Sequence, residues 1–324
     1  MSANAPAESV FAGVGLWVVG NINRDIKTSP LPAGEYLFHD GETSLTGICE
    51  TLGGGGANSA AIAAGLGAAP TFIGQVGADP LGARLEATLK KHGVACRLHK
   101  ATGLSTGSTM NLVFENGQRH FLSCHPNNVA LQLDALDLAG LEQADHLLRA
   151  DIWFSEAMLH GGNERLFQVA REAGVTTSID LNWDPQWGRV SADEVQRRKA
   201  AVRQVLPLVD LAHGNIRELT EFADTTELSD AVTRLLEWGV GAVAVHMGAQ
   251  GAGWFSRSDY LVQPAAPVQK ATVATGTGDV LSVCLMLLHQ RHDIAMVDKL
   301  RLANSIVAEF MEGKRRLIPE LSGG

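Results

Sequence analysis

The sequence predicts an α/β fold with a mostly parallel central sheet and a small β lid, organised as a single domain over residues 1–324. Three observations predict it. Between Asp151 and His246 short apolar segments alternate with helical ones, the pattern of βαβ units. Glycine-rich turns at 53–56 and 276–278 each lead into a run of small or apolar residues. Two polar stretches with interspersed β-formers, about 26–52 and 107–124, read as strands projecting from the main sheet, not as core.

Gly15-Leu16-Trp17-Val18-Val19-Gly20 reads as a buried strand ending in glycine. In an open parallel sheet, ligands gather at the carboxyl ends of strands. Asn23 and Asp25 lie just past this strand, able to offer an amide and a carboxylate to a polyol. An Asx turn with a surface aspartate is the plainer reading of the same residues. Gly53-Gly54-Gly55-Gly56 opens a helix of small residues, with Asn58 in its first turn. Thr71–Gly77 follows as a strand; Asp79 caps the next helix, with Pro80 suited to its first position. Asn116-Gly117 marks a hairpin between Thr109–Phe114 and Arg119–Ser123.

Strands are then expected at 151–156, 175–180, 208–212 and 242–246, with helices at 163–173, 195–205 and 228–238. β-compatible segments at 259–262 and 265–272 precede the second glycine turn, and an apolar run at 280–288 follows it.

Composition excludes several classes. Hydrophobic content of 45% supports a full core, and the formal net charge is -9. No lysine and arginine cluster is long enough for a nucleic-acid patch; the densest is Lys314-Arg315-Arg316. The four cysteines, Cys49, Cys96, Cys124 and Cys284, lack metal-ligand or redox spacing and read as reduced thiols. With no secretion signal and no apolar run near the ~20 residues of a membrane span, a cytoplasmic enzyme without membrane or nucleic-acid partners is expected.

The chemistry centres on Thr275-Gly276-Thr277-Gly278-Asp279. Glycines on either side of Thr277 leave the backbone amides unobstructed at the start of a helix, where the dipole also favours anions. Asp279 at the lip of such a hole suits removal of a proton from an incoming hydroxyl. Taken alone, the run is also a loop with Asp279 capping a buried helix. Other polar groups fall at strand ends: Glu156, Asp180, Asn182, Asn215 and Glu218. Together with Asn23, Asp25 and Asp279 they collect along one edge of one sheet.

In these motifs the chain resembles the ribokinase-like (PfkB) carbohydrate kinases. The stretch from Gly53 through Ala57-Asn58 to Gly74-Gln75-Val76-Gly77-Ala78-Asp79-Pro80-Leu81-Gly82 resembles that family's N-terminal signature, and Thr275–Asp279 its C-terminal one. Asn215-Ile216-Arg217-Glu218 resembles its Asn-x-x-Glu motif, and Gly248–Ala252 its glycine turn. The resemblance runs in order from about Gly20 to Asn304.

It implies a three-layer α/β/α fold and ATP-dependent phosphorylation of a sugar hydroxyl. Asp279 would be the base, and the amides of Gly276, Thr277 and Gly278 would stabilise the transferring phosphoryl group. Glu218 would help to hold Mg²⁺ through water. Asn215 would lie near the phosphates, His246, Gly248 and Gly251 on the nucleotide side, and Asn304 near the base. Asn23, Asp25, Gly54, Gly55, Asn58 and Glu156 would bind substrate hydroxyls. Lid strands in this family often pair across a dimer, so a homodimer is expected.

The departures are informative. Val273 and Ala274 stand where the family usually has Asp-Thr, removing a carboxylate that often helps to bind a potassium-type ion, so monovalent-ion activation is not expected. Thr277 replaces a usual alanine, and Leu281 a usual phenylalanine. Asp180–Pro185 resembles the sugar-kinase Asp-x-Asn segment but lacks its common arginine, which argues against an acidic sugar or a phosphosugar; Arg24 and Arg119 are other sources of positive charge. Fructose- or ribose-like substrates come first. A nucleoside kinase using Tyr36, Phe38 or Phe121 as a base slot, and a catalytically silent ligand-binding relative, are the alternatives.

Overall fold

The computed structural model describes residues 10–273 and 275–321; Ala274 lies outside the described residues. A nine-stranded sheet forms the middle layer, in the order β13-β12-β11-β10-β9-β8-β1-β4-β5. The strands are β1 (Gly15–Val19), β4 (Ala69–Gly77), β5 (Ala95–Ala101), β8 (His146–Arg149), β9 (Thr176–Asp180), β10 (Leu211–Asn215), β11 (Ala242–His246), β12 (Ala252–Ser256) and β13 (Tyr260–Gln263). From β5 to β11 every neighbouring pair is parallel; β12 and β13 close one edge antiparallel.

Helices cover both faces. On one lie α1 (Gly55–Gly65), α2 (Pro80–Lys91), α8 (Thr277–His289) and α9 (Met296–Met311), packed on inward residues such as Leu16, Val18, Leu211 and Ala244. On the other lie α4 (Asn163–Glu172), α5 (Ala192–Val205), α6 (Ile216–Phe222) and α7 (Leu228–Glu237), packed on residues such as Val19, Ile179, Ala212 and Val243. Alternation along β1 sends Leu16 and Val18 to the first face and Trp17 and Val19 to the second. A one-turn helix, α3 (Pro126–Val129), completes the set. No described helix is long and apolar enough to cross a membrane.

The lid is a separate four-stranded sheet, β3-β2-β6-β7: β2 (Asn23–Thr28), β3 (Ile48–Gly53), β6 (Gly107–Val113) and β7 (Arg119–Cys124). Both expected lid regions contribute. β2 starts earlier than expected, so Asn23 and Asp25 lie on a lid strand and not in a loop after β1. The reason is pairing: Asn23 is in register with Gly53 on β3 and Gly107 on β6. Buried Asn127 and Asn128 fix the point where the lid leaves the sheet. Asn127 Nδ2 donates to the carbonyls of Ile22 and Gln75, and Asn128 Oδ1 accepts from the Ile22 amide at 3.2 Å. The C-terminal segment returns to the lid edge, where the Leu52 amide donates to the Pro319 carbonyl and Thr51 bridges Glu320.

Two expected strands are corrected, and two strands are added. The strand at 151–156 is absent; β8 lies upstream at 146–149, because Asp151 takes a left-handed backbone with φ 55° and ends it. No strand forms at 265–272, where the chain leaves β13 as a loop. β5 and β12 were not anticipated; β5 alternates weakly, and β12 lies within a glycine-rich stretch.

Candidate active site

The chain runs from β1 outward to β4 and β5, then returns to β8 on the opposite side of β1. That reversal opens a crevice at the carboxyl ends of β1 and β8, the usual ligand position in such sheets. Asp151 holds it together. Its buried carboxylate accepts from the amides of Asn21 at 2.9 Å, Gly55 at 3.2 Å and Gly56 at 2.8 Å. A carboxylate at the start of α1 satisfies helix amides that have no intrahelical partner. Gly54, at φ 91°, lets the chain enter α1 this way; a Cβ there would lie 2.4 Å from the Asn21 carbonyl oxygen.

A cleft of about 300 Å³ sits over this turn. Asn23, Asp25, Gly54, Gly55, Asn58 and Asp279, six of the expected site residues, all line it. Lid residues Thr109, Phe121 and Ser123 roof it. The Asn23 amide donates to Asp25 at 2.7 Å, while Oδ1 of Asn58 and of Asn182 are buried without a partner. Unspent hydrogen-bonding atoms of this kind fit a ligand rich in hydroxyls.

A second, more apolar cavity of about 540 Å³ lies on the other side of the α8 N-terminus. His246, Gly248, Gly251, Thr277, Gly278 and Asn304 line it. Asn304 Nδ2 donates to the carbonyls of Gln263 and Pro264 at 3.0 Å each, holding the loop that forms one wall. His246 bonds Ser282 Oγ at 2.8 Å, and burial lowers its pKa to about 4, so the ring is neutral there.

The two cavities share a partition. Gly276, at φ 86°, is the N-cap of α8. Thr277 and Gly278 face the apolar cavity and Asp279 faces the polar one. A few consecutive residues at one helix N-terminus thus separate two ligand-sized spaces.

Carboxylates crowd this end of the sheet. Burial, then the charges of Asp151, Glu218 and Asp25, push the Asp279 pKa up to about 7. Asp25 is pushed up to about 6, first by burial. Asp180 is raised well above the usual range by burial and by Glu218 and Asp279, and burial also raises Glu218. Asn215 and Glu218 line neither cavity. They form a capping box on α6, with Glu218 N donating to Asn215 Oδ1 at 2.9 Å and Asn215 N to Glu218 Oε2 at 2.8 Å.

Glu156 does not join the site. With β8 ending early, it falls at the exposed start of the next helical segment, where it pairs with the Arg198 guanidinium and lies 3.3 Å from His160. Several cleft residues escaped the sequence reading: Asn21, Thr109, Ser123, His125, Asp151 and Phe154.

Residues 31–287 match the model of the pfkB family carbohydrate kinases. The chain belongs to the pfkB family. Like other members it is an ATP-dependent carbohydrate kinase. It is 26% identical over 261 residues to a fructokinase of Vibrio alginolyticus, covering 79% of this chain and 81% of the relative. It is 25% identical over 281 residues to a ribokinase of Arabidopsis thaliana, covering 82% and 68%. Among solved structures, the Xylella fastidiosa fructokinase with bound ATP superposes with a TM-score of 0.78 at 19% identity, over 94% of each chain. At the two positions where the motif departs from the expected pattern the chain has Val273 and Thr277, and Thr277 lines the apolar cavity.

Proposed function

We propose that the acceptor is a small neutral sugar, fructose- or ribose-like, bound in the polar cleft and phosphorylated by ATP whose base and ribose occupy the apolar cavity. One observation carries this reading: Thr277 and Gly278 line one cavity while Asp279 lines the other. A phosphoryl group held by the amides of 276–278 would then stand within reach of a hydroxyl held beside Asp279.

In this reading Asn23, Asp25 and Asn58 orient the sugar, and Asp279 takes the proton from its attacking hydroxyl. Gly276, Thr277 and Gly278 stabilise the charge on the transferring group through their amides. Asn304 and the 248–251 turn shape the nucleotide side. The crowding of carboxylates here, with Glu218 and Asp279 raising the Asp180 pKa and Glu218 raising that of Asp279, fits a divalent cation. No group of three or more His, Cys, Asp or Glu among the described residues could hold a metal alone. Mg²⁺ commonly takes one or two carboxylates and completes its shell with water and phosphate oxygens. Glu218 would hold it through water; when bound, it would offset the phosphate charge. The fructokinase and ribokinase names of the relatives support the two sugar classes.

A sugar and nucleoside panel with ATP-Mg²⁺ tests the assignment: turnover is expected with fructose or ribose and not with adenosine, inosine or cytidine. Turnover with a nucleoside alone would favour the second reading. The expected aromatic slot is only partly present, since Tyr36 and Phe38 lie outside the cleft while Phe121 and Phe154 line it. Asp25→Asn should raise the KM for sugar about 10-fold or more, by weakening charge-assisted hydrogen bonds, with a smaller change in kcat. An unchanged KM would remove Asp25 from the sugar site.

We also propose a homodimer through the outer lid face. Thr109 and Phe121 line the cleft, so their neighbours Met110 and Leu122 point out, exposed on the sheet face that also carries exposed Ile48 two strands away. Met110→Glu with Leu122→Glu should convert a dimer to a monomer in light scattering. A wild-type protein that is already monomeric would refute it.

A further inference from the structure

Phosphoryl transfer concentrates negative charge, yet the lining of both cavities supplies no cation. Among the described residues the polar cleft is lined by Asp25, Asp151 and Asp279 and by no lysine or arginine. The apolar cavity is lined by none either. Lys27, Arg315 and Arg316 line a separate cavity beside Thr275 and Gly276, but the cation bonded directly to the anion loop comes from the lid. Residues two apart on a strand share a face, and Phe121 and Ser123 of β7 line the cleft. Arg119, at the start of β7, therefore projects on the cleft side. Its Nη1 donates to Thr275 Oγ1 at 2.7 Å, joining the hairpin end of the lid to the residue just before the α8 N-cap. That bond uses one of the guanidinium's five N–H donors. No carboxylate pairs with Arg119 among the described residues.

We infer that Arg119 is part of the phosphoryl-transfer machinery: the lid carries it to the anion loop, Thr275 orients it, and its remaining N–H groups contact the transferring phosphoryl oxygens. The inference rests on the base and anion-loop roles proposed above. In the step, the sugar oxygen bonds to the γ-phosphorus while the bond to the β,γ-bridging oxygen breaks. The hydroxyl proton passes to Asp279, and ADP leaves with the bonding electron pair. Arg119 exchanges no proton; its guanidinium stays charged and presents a planar fork suited to phosphate oxygens. Because the charge arrives with the lid, transfer becomes favourable only after sugar has been enclosed, which protects ATP from water.

Two measurements test this. In steady state, Arg119→Gln should lower kcat by about 10²-fold while the sugar KM stays within about threefold. Guanidinium ion in solution should partly restore Arg119→Ala, an effect no purely structural role would produce. Thr275→Val should lose less, because it frees the guanidinium without removing it. The second measurement needs no sugar: aluminium fluoride, a mimic of the transferring phosphoryl group, should tighten ADP-Mg²⁺ binding in the wild type. Arg119→Gln should cut that tightening at least about 10-fold, with binding of ADP alone unchanged. A kcat within about twofold of wild type, undiminished fluoroaluminate tightening, or a loss that guanidinium does not repair would overturn the inference. Its failure is separable from failure of the site itself: an inactive Asp279→Asn beside an active Arg119→Gln leaves the kinase site standing and removes only Arg119.

Discussion

Asp279→Asn should lower kcat about 10²–10⁴-fold with little change in the KM for either substrate. The substitution keeps shape and removes only the ability to accept a proton. Asp279 is the one carboxylate placed on the first turn of α8 and facing the polar cleft. Its pKa, pushed up to about 7, sets the sign of the pH dependence. A base works deprotonated, so kcat/KM should be full above about 7 and fall as pH drops through that value. Stability runs the other way. A carboxylate whose folded pKa lies above its unfolded value contributes fully below the unfolded pKa of about 4, and that contribution is lost as pH rises through the folded one. Without ligands, Asp279→Asn should therefore melt about 2 °C or more above wild type near pH ~8, with the difference shrinking as pH falls toward about 4. Nearly full turnover in the variant would remove Asp279 as base; equal melting temperatures at both pH values would remove the buried-charge argument.

Asp151→Ala should destabilise the fold by about 3–5 kcal/mol and abolish saturable sugar binding. It would leave the amides of Asn21, Gly55 and Gly56 without their acceptor at a buried position. Those amides build the floor of the cleft, so its geometry should fail with them. The expected readout is a melting temperature lower by about 6 °C or more. Asp151→Asn separates geometry from charge. Asparagine tolerates the left-handed backbone at φ 55° and keeps one acceptor oxygen. It also removes one of the charges that raise the Asp279 pKa, so the acid limb of kcat/KM should move to lower pH. Melting of Asp151→Ala within about 1 °C of wild type would refute the keystone role, and an unmoved acid limb in Asp151→Asn would refute the electrostatic one.

The two residues differ in how readable they are. Asp279 announces itself, because glycine, amides and carboxylate are consecutive and their geometry is local. Asp151 has no local signature. Its partners lie 130, 96 and 95 positions away, and the following Ile152-Trp153-Phe154 imitates a strand. The same misreading carried Glu156 toward the site, whereas its Arg198 partner lies on a helix 42 positions on. The lid was visible as polar β-forming sequence, yet the start of β2 depended on pairing with Gly53 and Gly107, which no neighbouring residue reports.

The chain's own order of residues determined the alternation of strands and helices, the two glycine-led helix starts, the carboxylate beside the second of them and the cleft-lining set Asn23, Asp25 and Asn58. Each follows from periodicity or from backbone freedom within a few residues. Tertiary structure decided what those pieces meet. It put Asp151 under the first glycine turn, swung Glu156 out to Arg198, and brought Arg119 of the lid onto Thr275. Hydrogen bonds between distant segments depend on how the layers pack, and packing is a property of the folded chain as a whole.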